Sequence, residues 1–581
     1  MTESDYQRQV DTRSRQALQA SLERGSYRSL WGFHASLACG GDPDELVEIT
    51  QRHHEPGPFN IIPGMFLLGR WPDRIPAEAE KSIKHMFMEA PQQRGNTENH
   101  WLMYYAGNLL AAERWADEET LWNGLSPAAM HAEASRWILG MISRTATIGH
   151  YEYDSTGYHN EHYVPYLALA EYARDPYVRR QARQMVHLLL ADMAIEYFHG
   201  AYAGGHSREG NVNTWTQVGP GQGLNYLYFG DEEFDADRHC HGYAIPAIAA
   251  EFRPPALIAR MALDRAQPHA VRKTKPPRAI YRHVSEPPDP VRKYTWMSRS
   301  FALGSTQTGL NEAPAAPIDL TSWDLTWRGA RHQAKIVCNH PYRSPARFSA
   351  FLPELPQRVG RAVATGKPYL QVSDRLFGAS PYERMMQHKG AIILMYQIPE
   401  DDLAPYVNCF LPKTHTWCEQ DGWILSDFGD FYVGLRIIGP YRWEDIHESG
   451  QDGNWIDGWM LRIKDLHAAM VLEAIEAEEA GSFQNFCDAR CQEDLDLSGW
   501  PENGLIAMDT LSGHRLEMNY EDHHTVDGKL IDYSTYPLFD GPGIDAPTDT
   551  GKITFRHGDD KLTLDFDIDR TTAALPMRVI G

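Results

Sequence analysis

Positive charge falls well short of negative in this 581-residue chain, with 55 Lys and Arg against 78 Asp and Glu and a formal net charge of -23. Nucleic acids and anionic membranes are bound through basic footprints, so neither is an expected partner. Cysteine is also scarce. The seven residues at 39, 240, 338, 409, 418, 487 and 491 are odd in number and scattered, which excludes a disulfide framework and fits reduced thiols. Cys487 and Cys491 have helical spacing, but no second ligand pair lies nearby to complete a zinc knuckle. No apolar run approaches the roughly 18 residues that a membrane helix needs. The opening, "MTESDYQRQVDTRSRQ", is polar where a secretory leader would be apolar, so a cytoplasmic protein is expected. A sequence repeat of fixed period is missing too, and with it the plainest sign of a solenoid.

The chain is too long for one core, so two or more domains are expected. Aromatic residues make up 11%, including 16 Trp and 28 Tyr, a stock that suits cores and also clefts that stack on sugar rings. Residues 1–266 read as helical. "TENHWLMYYAGNLLAAERW", "SPAAMHAEASRWILGMISRT", "NEHYVPYLALAEYAR" and "DPYVRRQARQMVHLLLADMAIEYFHG" carry apolar residues at three- and four-residue spacing. Asp175-Pro176 reads as a cap followed by proline in the first helical position. Residues 267–293, basic and rich in paired prolines, read as a linker. From 294 to 581 the pattern turns to short β-branched and aromatic runs such as "GAIILMYQIP" and "GWILSDFGDFYVGLRIIG", an antiparallel β domain of stacked sheets. A hairpin is expected at His557–Asp560, and one inserted helix at "DLHAAMVLEAIEAEEA", around residues 465 to 480.

Four polar clusters stand at predicted helix ends, where rigid scaffolds present binding loops. Glu98, Asn99 and His100 follow Asn96 and Thr97, either of which suffices as a cap, so the three exceed what a helix start requires. The others are "YEYDSTGYHNEHY" (Glu152, Asp154, Tyr158, His159, Glu161, His162, Tyr163), "GAYAGGHSREGN" (His206, Arg208) and "DRHCHGY" (His239, His241, Tyr243). "HNEH" does not match the HExxH pattern, which excludes a metalloprotease of that type. A divalent metal is left open, near His239 and His241 or in the β half, as is self-association.

The layout resembles the polysaccharide lyases built from an α/α toroid and a β-sandwich, the group of heparinase II/III-like and exo-acting alginate lyases. In that group an Asn-His pair opens a toroid helix and a catalytic Tyr follows on a neighbouring loop; here Tyr158 comes 58 positions after His100. "HKGAIILMYQIP" and "GWILSDFGDFYVGLR" are similar to sandwich strands of the group. The Gly-Ser-His-Gly-His-Ala-Asp-type strand motif has no counterpart; the nearest stretch, "RGARHQAKIVCNHPYR", offers His332 and His340.

The resemblance implies β-elimination on a uronic-acid-containing glycan, in a cleft between toroid and sandwich. Such a reaction needs a neutralised carboxylate, a base for the C5 proton and an acid for the leaving oxygen. On this reading Asn99 and His100 hold the carboxylate, Tyr158 transfers the proton, His206 and Arg208 stabilise charge, and His159 is a further base. Glu98, Tyr104, Glu152, Asp154, His162, Tyr163, Trp215, His241, Tyr243 and His332 complete the expected substrate surface. Arg272, Lys273, Lys275 and Arg278 offer local positive charge, although a solvated linker is the better reading of them. The alternative is a glycoside hydrolase, with its acid and base drawn from Glu98, Glu152, Asp154 and Glu161. A non-catalytic sugar-binding protein would show aromatics without this density of ionisable groups.

Overall fold

The computed structural model describes residues 1–95, 97–207, 219–276, 290–308, 320–329, 335–342, 376, 378, 380–449, 455–492, 495–500 and 504–568. The chain divides into two compact units. One comprises Met1–Gly200, Val218–Leu263 and Gly543–Gly581; the other comprises Ala201–Gln217 and Asp264–Pro542.

The first unit is mainly helical. It opens with α1 (Glu3–Glu23), α2 (Phe33–Ala38), α3 (Glu45–Arg52), α4 (Pro58–Arg70), α5 (Ala77–Met88), α6 (Glu98–Arg114), α7 (Pro127–Ile148), α8 (His159–Tyr172) and α9 (Pro176–Ile195). Their starts follow local chemistry. Thr97 caps α6 by accepting from the His100 N–H, and Asp175 caps α9 by accepting from the Tyr177 and Val178 N–H groups, with Pro176 first in the helix. Helix α6 is buried from Trp101 to Ala112 and packs against α4, α7 and α8. A helix apolar on every side belongs at the centre, and Gly107 lets the α6 backbone approach Ile61 of α4.

The expected hairpin forms, with His557 opposite Asp560 and Gly558 at φ +60° in the tight loop. It belongs to the helical unit, not to the sheets that precede it in sequence. The Asp549 N–H donates to the Thr147 carbonyl at the end of α7, and Asp565 and Gln184 of α9 exchange two hydrogen bonds.

The second unit is built on antiparallel sheets. A nine-stranded sheet runs in the order Tyr441–Ser449, Trp455–Ile463, Val407–Pro412, Lys335–Asn339, Trp323–Trp327, Phe301–Thr308, Val291–Met297, His269–Lys275 and Phe539–Asp540. A six-stranded sheet runs Glu383–His388, Ala391–Tyr396, Ala469–Glu476, Phe431–Ile438, Trp423–Asp427 and Cys418–Gln420. The two sheets touch through side chains: Gln387 donates to the Leu303 carbonyl at 2.7 Å, and the Phe301 and Phe431 rings lie 5.2 Å apart. On its other face the six-stranded sheet packs Met386, Ile393, Trp423 and Val471 against Phe486, Ile506, Met508 and Leu516.

Two sequence expectations are corrected. The stretch read as a linker, 267–293, contributes the strand His269–Lys275 and the start of its partner Val291–Met297. Its prolines at 276 and 290 flank these strands, where a missing N–H breaks no ladder, and Lys273 and Lys275 are buried. Arg278 lies outside the described residues. The helix expected around 465–480 is instead the strand Ala469–Glu476, buried along its whole length between Ala391–Tyr396 and Phe431–Ile438. "AMVLEAIE" satisfies a helical period as well as an alternating one, and pairing on both edges decides between them. Ala469, Val471 and Ile475 face one core, while Glu473 on the same face meets buried Arg490 of the helix Phe483–Gln492. That helix is the one inserted among the strands around this point, apart from the single turn Ala477–Ala480.

Leu472 is fully buried mid-strand, with Ile392 and Leu435 as register partners on either side. Leu472→Ala is expected to cost ~2–5 kcal/mol, read as a lower urea midpoint.

Candidate functional site

The loop after α7 has to turn back towards α6, and its backbone N–H groups are buried as it does so. Glu98, the first residue of α6, accepts from the N–H of Tyr151 at 3.0 Å and of Glu152 at 3.1 Å, both on Oε2. Glu152 in turn accepts on its Oε2 from the backbone N–H of Asn99 at 3.0 Å and the Asn99 side-chain amide at 2.5 Å. His162, one turn into α8, brings Nε2 to 3.2 Å from Glu152 and 3.8 Å from Glu98. Arg144 of α7 stands 3.6 Å from Glu98 and lies over the Tyr151 ring. Glu98, Asn99, Glu152 and His162 are at most 2% exposed. Burial pushes the Glu98 carboxyl up from its ordinary value, against the opposing pull of His162 and Arg144.

So the structure brings together Glu98, Asn99, Glu152 and His162, but inside the protein. Asp154 (φ +50°) and His159 are buried as well. Tyr163 donates to the Tyr228 hydroxyl at 2.8 Å within the core, and Tyr104 packs edge-on to Tyr105. The expectation that all these side chains face substrate does not match their enclosure.

A second group is more open. His100 and Tyr158 are half-buried, as are Phe59 and Tyr243, and His241 is exposed. Phe59 meets the His100 ring edge-on at 5.2 Å and stacks with Tyr243 at 5.5 Å; His241 lies 5.2 Å from Tyr243 and Trp31 4.8 Å from it. Burial raises the Tyr243 hydroxyl above its ordinary value, and the nearby charges of Glu161 and Tyr158 add to this. These residues come from the starts of α4, α6 and α8 and from the short turn Gly242–Ala244, which Asn160 ties to α8 through the Tyr243 carbonyl. Helix N-termini carry partial positive charge, but the first turns of α6 and α8 also hold the carboxylates of Glu98 and Glu161. Sequence reasoning overlooked Gly95. At φ +69° it lies under the His100 ring, and a Cβ there would stand 2.8 Å from His100 Cβ.

His206 belongs to the sheet unit. Its Nε2 is 3.1 Å from Asp324 and 3.2 Å from the Lys335 ammonium; Lys335 also pairs with Asp324, and the Gly204 N–H donates to Asp324 at 2.7 Å. All three side chains are buried. Burial first, then the Lys335 charge, holds His206 below its ordinary value, while Lys335 and His206 outweigh burial and hold Asp324 low. Asp324 and Lys335 were not expected; the one available signal is an acid within "TSWDLTW" where every neighbour is strand-forming. Arg208, Trp215 and His332 lie outside the described residues. His340 is buried between the Ser380 hydroxyl and the Ala404 carbonyl, each at 2.8 Å. The metal pairing of His239 with His241 is not realised: His239 is buried, stacks on Tyr226 and faces Glu232, whereas His241 is exposed. Among the described residues, the group able to surround a cation is Glu98, Glu152 and His162.

No protein-family model and no curated protein matches the chain. A solved structure titled "Crystal Structure of Heparinase III" matches at 8% identity, over 80% of this chain and 81% of that one, with a TM-score of 0.26. A superposition at that level carries no argument.

Asp324→Asn leaves the Lys335 ammonium buried without its counter-ion and is expected to cost roughly 3–5 kcal/mol, seen as a lower melting temperature. The lowered His206 value means that the unfolded chain binds more protons than the folded one just below pH 6.5. Stability is therefore full above that pH and falls as the solution is acidified through the folded-state value. A melting temperature that rises on acidification from pH 6.5 would contradict the assignment.

Proposed function

We propose that the protein is a lyase that cleaves a uronic-acid-containing oligosaccharide or polysaccharide by β-elimination, its helical unit an α/α toroid and its sheet unit a β-sandwich. The observation that carries the reading is the half-open rim at the starts of α4, α6 and α8, where His100, Phe59, Tyr243 and His241 meet ring to ring and half-buried Tyr158 is near enough to act electrostatically on Tyr243. Each part of that rim answers a demand of the reaction. The helix N-termini and His100 neutralise the uronate carboxylate, which acidifies the C5 proton. Tyr158, at the start of α8, takes that proton and returns one to the leaving glycosidic oxygen. The aromatic faces support the sugar ring.

Asn99 then acts as a positioning residue: by holding Glu152 it fixes the start of α6 and so the placement of His100. His206, enclosed with Asp324 and Lys335, serves the architecture of its own unit. Hydrolysis is the weaker reading because Glu98, Glu152, Asp154 and Glu161 are each no more than 3% exposed. An acid and base pair has to reach the sugar and leave room for water.

The test is the ultraviolet absorbance of a conjugated, unsaturated uronate during incubation with a panel of uronate-containing oligosaccharides. Absorbance is expected to rise, and Tyr158→Phe is expected to lower the rate by about 10²–10⁴-fold with the circular dichroism unchanged. New reducing ends without that absorbance would establish hydrolysis instead.

A further inference from the structure

We propose that Glu98, Glu152 and His162 bind a divalent first-row transition-metal ion inside the helical unit, a structural ion that joins α6, α8 and the loop between α7 and α8. The three side chains offer one donor atom each, all within 4.8 Å of one another. Ligands placed about 2.0–2.2 Å from a tetrahedral ion stand roughly 3.4 Å apart. The two separations that involve His162 Nε2, 3.2 Å to Glu152 and 3.8 Å to Glu98, bracket that value.

Orientation of the donors points the same way. Both carboxylates are held by protein N–H groups, Glu98 by Tyr151 and Glu152, and Glu152 by Asn99, as ligating carboxylates are fixed by their surroundings. After those bonds, Glu98 Oε1 remains buried without a hydrogen bond, the Arg144 guanidinium at 3.6 Å being too far to donate. Asn99 supplies an independent sign. It is fully buried, its amide head lies against Glu152, and its Oδ1 also has no hydrogen-bond partner. An ion between the carboxylates would share their two negative charges with the Arg144 guanidinium where water is excluded. Two carboxylates and an imidazole suit zinc or manganese, and the nearest cysteines are not part of the group.

The experiment uses the full chain, stripped with a chelator, dialysed, and titrated with zinc chloride or manganese chloride. Elemental analysis after a second dialysis is expected to find about one equivalent per chain, and the melting temperature is expected to rise with metal concentration. Glu98→Gln and His162→Gln should each lose both the retained ion and the metal-dependent rise. If neither variant folds, X-ray absorption of the zinc-loaded wild type decides: one imidazole with otherwise oxygen donors supports the site. A shell with sulfur or several imidazoles overturns it. Failure to retain metal, or equal retention by the folded variants, also overturns it.

Discussion

The backbone N–H groups of Tyr151 and Glu152 turn inward where water does not follow, and one carboxylate oxygen of Glu98 accepts both. Much of the helical unit depends on that arrangement. It fixes the loop after α7, and the loop places Glu152 where it can hold the start of α6 through Asn99. The start of α6 then sets His100 beside Phe59, while the same loop runs on into Tyr158 and α8. A buried network of this kind is stable only when its members are satisfied, because low polarity strengthens each contact and each omission alike. Ionisable groups inside thus shape the backbone, while His100 and Tyr158 at the helix starts stay half-buried.

The sheet unit meets the same constraint in another way. Among its enclosed charges are His206, Asp324 and Lys335, with His206 more than a hundred residues before the other two in sequence. Removing charges from water is costly unless they are paired with good geometry, so such a cluster specifies which strands meet more than it adds net stability. Gly204, at φ +84°, brings its N–H to Asp324 where the Gly304 backbone passes close by; a Cβ on Gly304 would come 2.5 Å from Gly204 Cα.

Local signals were legible where local chemistry decides. Thr97 and Asp175-Pro176 mark helix starts, Gly558 marks a hairpin, and the helical half followed by antiparallel strands follows the change of hydrophobic period. What escaped the sequence depends on distant partners. Ala469–Glu476 reads as a helix until Ala391–Tyr396 and Phe431–Ile438 pair with its edges. His269–Lys275 reads as solvated linker because its lysines give no hint of burial. The same holds for the polar clusters. That Glu98, Glu152 and His162 belong together is visible only in three dimensions, and composition alone cannot separate them from the exposed His241 or the half-buried Tyr158.

The return of Ile544–Asp565 to the helical unit bears on the order of events during synthesis. A nascent chain emerges from its amino end, so α1 to α9 leave the ribosome long before the hairpin that bonds to α7 and α9 exists. The sheet unit, whose last strand is Phe539–Asp540, is complete in sequence first. Helices α1 to α9 therefore wait with the end of α7 and the Gln184 side of α9 uncovered, and a unit begun before the sheets is finished after them.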